Sequence, residues 1–212
     1  AEVLVHAQVT ALNFEGGGMC MQKVGPLLGM LPNCTSLRTL KLPRTSIAGE
    51  AAVLLGTGLP HSCLQNLYLT NNDILESDMC LLLRQLVPFS CLEILNLSNN
   101  DIGTTGAAML KLVLDNCKRI KSLCLEETRL GNGGVFRLKA GRPLPDSLTK
   151  LDLRNNGIEH PGCVGLASFL QQSTNLTHLQ LSQNPIGDCG ATHLGSGLNS
   201  LSCLQRLEMS AC

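Results

Sequence analysis

Tryptophan is absent from this 212-residue chain, tyrosine occurs once and phenylalanine four times. The core therefore cannot rest on large rings and must be filled by aliphatic side chains. Net charge is missing too, since 16 Lys plus Arg balance 16 Asp plus Glu. That excludes an overall electropositive field for nucleic acid or an anionic membrane. Charged residues are scarce, 15% against 44% hydrophobic, a balance that excludes disorder. No uninterrupted apolar run reaches the ~18 residues a spanning helix needs, and no basic-then-apolar stretch marks a secretory leader. The sequons at Asn33, Asn96 and Asn175 are then incidental. Eleven cysteines are scattered through apolar segments without a C-x-x-C pair, so free thiols, a reducing compartment and a cytoplasmic location are expected.

What the chain does have is a repeat. One phrase recurs eight times: Leu, two residues, Leu, one residue, Leu, two residues, Asn or a small substitute, one residue, Ile or Leu. It opens at Val9, Leu37, Leu64, Leu92, Ile120, Leu148, Leu176 and Leu204, with a spacing of 28 throughout except 27 between Leu37 and Leu64. Within it, L-x-L alternates with period two and puts pairs such as Leu95 and Leu97 on one face of a short strand. Beyond it, apolar residues return eight and twelve positions after the last Ile or Leu, as in Leu110 and Leu114 after Ile102, which is helical spacing. The pairs Leu27 and Leu31, Leu55 and Leu59, Leu82 and Leu86, Leu166 and Leu170, and Leu194 and Leu198 follow suit. In the fifth repeat Gly141-Arg142-Pro143 interrupts the pattern after Leu138, and its helix is expected to be short or broken.

A strand-helix unit of this size cannot bury its own apolar stripe, so neighbours must stack. Strands about 4.8 Å apart on one side and helices about 8–10 Å apart on the other bend the stack into a partial horseshoe. The expected fold is α/β, a solenoid with a parallel β-sheet on the concave face and α-helices on the convex face. Residues 1–212 read as a single domain of about eight units. Val3 takes the last helix position of a preceding unit and Cys212 falls within its eighth phrase. The expectation is a fragment of a longer repeat protein, with uncapped ends open to end-to-end self-association.

The period, the phrase with Asn alternating with Thr or Cys, and the helix pattern I-G-x-x-G-A-x-x-L-x-x-x-L resemble the ribonuclease-inhibitor-like leucine-rich repeats over the whole chain. That class includes ribonuclease inhibitor, the repeat domains of innate immune nucleotide-binding receptors and the Ran GTPase-activating protein. The resemblance implies an asparagine ladder at Asn72, Asn100, Asn156 and Asn184, whose amides hold backbone groups of neighbouring turns. Thr45, Thr128 and Cys212 take the same position, while Gly17 departs from it.

Cys34, Cys63, Cys91, Cys117 and Cys203 recur just before strands and read as packing, as does Cys163 in a small helix position. Cys124 and Cys189 read as outward-facing. His160, Cys163, Cys189 and His193 fall in adjacent repeats, but Cys163 should face inward and Cys189 outward, so no zinc site is expected. Gly16-Gly17-Gly18 lacks the following Lys-Ser/Thr of a phosphate loop, and no Ser-His-Asp arrangement is brought together. No catalytic residue, cofactor or metal is expected.

Function is expected on the concave strand surface. Its column inside L-x-L runs Asn13, Lys41, Tyr68, Asn96, Cys124, Asp152, Gln180 and Glu208. Arg38, Lys41 and Arg44 form a basic corner, Glu126 and Glu127 an acidic one, and Lys150, Asp152 and Arg154 a mixed one. The candidate binding residues are Arg38, Lys41, Arg44, Tyr68, Asn96, Glu126, Asp152 and Arg154, with Tyr68 as anchor. A polar curved sheet suits protein recognition over catalysis, so a non-catalytic scaffold for a protein ligand is expected, with no nucleic acid or membrane partner. A sensor domain of a larger intracellular protein, as in innate immune receptors, is one form of this. Regulation of a small GTPase is the alternative the resemblance allows. Ribonuclease binding is not expected, because aromatic anchors are missing.

Overall fold

Each repeat passes once through a strand, a turn and a helix, because its apolar spacing changes from every second residue to every third or fourth. The computed structural model describes residues 8–15, 25–26, 28–47, 49–59, 64–141 and 143–212. The readings of Val3, Gly16 to Gly18, Leu27, Cys63 and Arg142 lie outside the described residues.

Among the described residues eight short strands form one open sheet: β1 Ala11–Asn13, β2 Thr39–Lys41, β3 Asn66–Tyr68, β4 Ile94–Asn96, β5 Ser122–Cys124, β6 Lys150–Asp152, β7 His178–Gln180 and β8 Arg206–Glu208. Their order in the sheet is their order in the chain, and every neighbouring pair is parallel. The helices bounded among the described residues alternate with them: α1 Glu50–Gly58, α2 Glu76–Leu86, α3 Gly103–Asn116, α4 Gly131–Lys139, α5 His160–Leu170 and α6 Gly187–Leu198. A 3-10 turn, Leu31–Asn33, lies between β1 and β2. Strands occupy the inner side and helices the outer, as their different packing distances require.

The central Leu of each strand from β2 to β7 is buried, as are Leu55, Leu59, Leu82, Leu86, Leu110, Leu114, Leu166, Leu170 and Leu194 on the helices. Each such side chain contributes up to about 1.5–3 kcal/mol by leaving water. Leu198 is only half-buried, and Leu207 of the edge strand β8 is 41% exposed. Helix α4 is nine residues long, like α1, against 14 for α3, and it ends before the Gly141 to Pro143 interruption. Its chain turns extended at Ala140, and Leu144 beyond it is buried at 5% exposure and belongs to the core. Lys111 on α3 is buried but paired with Asp115 one turn along, which keeps its charge compensated.

The turns between strand and helix carry the asparagine ladder. Asn100 accepts the backbone N–H groups of Asn72 (3.1 Å) and Ile74 (3.2 Å) from the preceding repeat. Its amide donates to Leu69 O in that repeat at 2.7 Å and to Leu97 O in its own at 2.9 Å. Asn72 holds Thr45, Asn156 holds Thr128, and Asn184 holds Asn156 in the same way. Where Thr128 stands in the row, its hydroxyl donates to Leu125 O of its own repeat and to Asn156 Oδ1 of the following one, and does not extend to the preceding repeat as an amide does. The preceding turn then bonds directly to Thr128 O through Ile102 N–H (3.0 Å) and Gly103 N–H (3.2 Å), with Gly103 at φ +58°. Glycine enters that left-handed region without a Cβ clash. At the last turn Cys212 Sγ contacts Leu181 O at 3.3 Å, a thiol in the place of the ladder amide, though Cys212 is exposed.

Every described cysteine is a free thiol. Cys34, Cys117 and Cys163 are buried, as read, and Cys91 is half-buried. Burial pushes the Cys117 thiol up to about 12 and Cys163 to about 11, with Cys91 and Cys212 as smaller influences. Cys203 is a correction: it is exposed rather than packed, at a repeat position that is also exposed at Arg119 and Asn175 and only half-buried at Ser36, Cys91 and Ser147.

Candidate functional site

A three-residue strand has one inward position, held by Leu, and two outward ones. The register aligns the outward residues across repeats: Asn13 with Lys41, Lys41 with Tyr68, Tyr68 with Asn96, Asn96 with Cys124 and Cys124 with Asp152. The concave column read from the repeat is therefore continuous in space, with strands about 4.8 Å apart.

Its two halves differ. On β2 and β3, the Lys41 ammonium lies 5.1 Å from the centroid of the Tyr68 ring, within cation–π range, and 3.9 Å from Glu15 Oε2. Tyr68 is half-buried; burial, and the nearby Cys124 to a smaller degree, raise the pKa of its phenol. Arg38, half-buried, precedes β2, and Arg44, exposed, follows it in the turn at φ +53°. The basic corner is thus a line of cations along one strand. Asn96 accepts the N–H of Ser98 at 3.0 Å and so has a fixed side chain.

On β5 and β6 the charges are spent on each other. Arg154 Nε donates to Asp152 Oδ1 at 3.0 Å, and its Nη2 donates to Asp152 Oδ2 at 2.7 Å and Glu126 Oε2 at 2.9 Å. These partners, Asp152 first, raise the arginine's pKa further. Arg206 and Glu208 pair likewise on β8. Between the halves, Cys124 is half-buried with its Sγ 3.9 Å from Ser122 Oγ. Burial raises its pKa, so it is a thiol rather than a reactive thiolate.

The four residues of adjacent repeats that spell a metal set are only partly assembled. The His160 and His193 rings stack edge-on with centroids 4.9 Å apart, but Cys163 is buried and Cys189 exposed. Among the described residues no group of three His, Cys, Asp or Glu is placed to hold a metal. Sequence reasoning missed a cavity of about 330 Å³ among the turns after β3 to β5, where Asp73, Leu75, Asp101, Glu127 and Arg129 meet. Arg129 donates to Asp101 there at 3.1 Å. These residues flank the ladder position, Glu127 before it and the others after it, where the phrase tolerates any side chain, so no periodic signal marks them.

The Leucine Rich repeat family profile matches residues 90–111, 146–167 and 172–195. The fold is a leucine-rich repeat solenoid. No curated protein sequence matches the chain. Among solved structures the chain is similar to "Leiomodin-1 Actin-Binding Site 2 (ABS2)", with a TM-score of 0.52 and 19% identity, covering 63% of this chain and 78% of that one. It is among 87 matching solved chains, so the solenoid is a common fold that does not by itself select a function. Among the described residues no helix is long and apolar enough to cross a membrane.

Proposed function

We propose that this chain is a non-catalytic scaffold of the ribonuclease-inhibitor-like kind, which binds a protein ligand on its concave sheet across β2 to β4. One observation carries the reading: the Lys41–Tyr68 pair is the part of the concave column that offers an aromatic ring and a weakly held cation together. Arg154 is already saturated by Asp152 and Glu126. An aromatic face beside a mobile charge is what an interface anchor requires, and the ammonium adds steering toward an acidic patch.

Leiomodin-1's matching fragment is titled an actin-binding site, which makes actin the first defined protein to assay, by cosedimentation. For any ligand recovered by pull-down, Tyr68→Ala should weaken binding by about 1–3 kcal/mol, and Lys41→Glu should slow association and reduce its salt dependence. Unchanged affinity in both folded variants would remove the site from the concave face. Recovery of a small GTPase whose hydrolysis the chain accelerates would replace the scaffold reading with a regulatory one.

A further inference from the structure

The side-chain amide of Asn96 on the concave face has a fixed direction. Three residues of its column accept the backbone N–H two residues ahead: Asn13 from Glu15, Asn96 from Ser98 and Asp152 from Arg154, at 3.0 to 3.1 Å. A backbone N–H bonds the oxygen of an amide and not its nitrogen, so in Asn13 and Asn96 the Nδ2 group faces the other way. Asn13 Nδ2 reaches Glu15 Oε2 at 3.4 Å, and both oxygens of Asp152 are taken by Arg154. Asn96 is half-buried, yet its Nδ2 makes no hydrogen bond among the described residues, so both of its N–H donors are left to solvent or a ligand.

Its neighbours in the row add donors. Register sets Tyr68 beside Asn96 and Lys41 beside Tyr68, so ammonium, phenol and amide stand on three successive strands about 4.8 Å apart. Ammonium and amide nitrogen can donate but not accept, and the phenol can do both. The outward residues of β2, β3 and β4 include no acid. The nearest carboxylates are placed elsewhere: Glu15 is 65% exposed and 3.9 Å from Lys41, Glu93 is held by Arg119 and Lys121, and Glu126 by Arg154.

Beside this row lies an apolar residue that the periodic reading passes over. Ile94 is half-buried two residues before Asn96 on the same face of β4, and it is the one branched aliphatic among the outward residues of the eight strands. Tyr68 and Ile94 stand diagonally on paired strands, with their Cα atoms about 8 Å apart from the strand spacing and rise. One aliphatic side chain of a ligand fits between them.

From these observations we infer that the concave site recognises a protein segment carrying a Glu or Asp next to a large aliphatic residue. The carboxylate takes the Lys41 ammonium and the Asn96 Nδ2–H donors, and the aliphatic side chain lies between Tyr68 and Ile94. The inference rests on the concave reading above and makes Asn96 and Ile94 the residues that set specificity. A basic segment fits poorly, because it would meet Lys41 and leave the Asn96 donors without an acceptor.

The test uses the whole chain, isotope-labelled for NMR, and a soluble Gly-Ser peptide with Leu-Glu at its centre; Leu-Gln and Ser-Glu versions are the controls. The Asn96 side-chain NH2 signals report the site directly. Titration to about 5 mM, which covers millimolar affinities, should shift them together with the backbone amides of Tyr68 and Ile94. The Leu-Gln peptide should bind at least tenfold more weakly. Asn96→Asp can keep the Ser98 N–H, as Asp152 keeps that of Arg154, so its thermal melt should be unchanged while the preference for Glu over Gln vanishes. Ile94→Ser should weaken the Leu-Glu peptide several-fold, bring it level with the Ser-Glu peptide and leave the Glu-over-Gln ratio as it was. Absence of binding, a Glu-over-Gln ratio below threefold in the parent chain, or a preference that survives Asn96→Asp overturns the inference. The concave reading fails separately, through a recovered protein ligand whose affinity ignores both Tyr68→Ala and Lys41→Glu. A ligand that needs Tyr68 but tolerates Asn96→Asp and Ile94→Ser keeps that reading and overturns this one.

Discussion

Four residues separate the turn row from the concave row in every described repeat from Lys41 and Thr45 to Glu208 and Cys212, yet the two obey different physics. Asn72, Asn100, Asn156 and Asn184 are buried, and each amide holds backbone groups of two repeats. Lys41, Tyr68, Asn96, Cys124 and Asp152 are half-buried, differ in chemistry from strand to strand and bond mostly within reach of solvent. A buried amide with fixed partners leaves little freedom of substitution, whereas a sheet face in water asks only for a side chain that does not clash. The turn row therefore carries stability and the concave row is available for recognition.

Asn100→Ala tests the contrast hardest. It leaves the Asn72 and Ile74 N–H groups and Leu69 O without the amide in a dry turn, and should lower unfolding free energy by about 3–4 kcal/mol, read from the urea midpoint. Asn100→Thr should recover only part of this, since the Thr128 hydroxyl bonds its own repeat and the following one but does not extend to the preceding repeat. A loss below about 1 kcal/mol for the alanine variant would make the ladder incidental.

Gly103→Ala should come next. A Cβ at φ +58° would lie 2.4 Å from the Glu76 carboxyl carbon, so the variant bears about 1–2 kcal/mol of left-handed strain and displaces Glu76 from Thr105. Gly131→Ala, at φ +56° with nothing within 4 Å, should show the strain alone. Glu76 also carries a pH signature. The Thr105 N–H lowers its pKa, so it stays charged in the fold to lower pH than in the unfolded chain. Its contribution is then complete above its ordinary value of about 4.3 and is lost as the pH falls through the lower folded value. Thermal melts across that window should be shallower in pH for Gly103→Ala than for the parent or Gly131→Ala.

On the concave row the effects should be smaller. Arg154→Ala breaks an ion-pair set that is about one third exposed, and a loss of about 1 kcal/mol or less is expected. Tyr68→Ala should cost less still in stability while altering ligand binding. A destabilisation by Arg154→Ala that matched Asn100→Ala would erase the distinction between the rows. Last, iodoacetamide at neutral pH should label Cys189 and Cys203, which are exposed, and spare Cys117 and Cys163, with no effect on the fold.

Much of this was legible beforehand, and the residues show why. Leu95 and Leu97 against Leu110 and Leu114 spell a strand and then a helix by spacing alone, and a fixed period near 28 residues brings the same position of each unit into line. The end of α4 was readable from Gly141 to Pro143, but the burial of Leu144 was not, because that residue falls outside the periodic pattern. Cys203 was misjudged because recurrence of cysteine at one repeat position was read as burial, whereas that position is half-buried at Ser36, Cys91 and Ser147 and exposed at Arg119 and Asn175. The turn cavity around Asp101 and Arg129 left no signal, since the phrase is silent at those positions.

The linear order of residues by itself determined the period, the alternation of strand and helix, the parallel sheet and the inward or outward sense of most side chains. All of these follow from local spacing repeated at constant length. Tertiary structure decided which charges are free. Arg154 and Lys41 stand in neighbouring outward positions of similar strands, but Arg154 meets Asp152 and Glu126 while Lys41 meets a tyrosine ring and a distant carboxylate. Such pairings depend on distances between repeats and on rotamers, which periodicity does not encode.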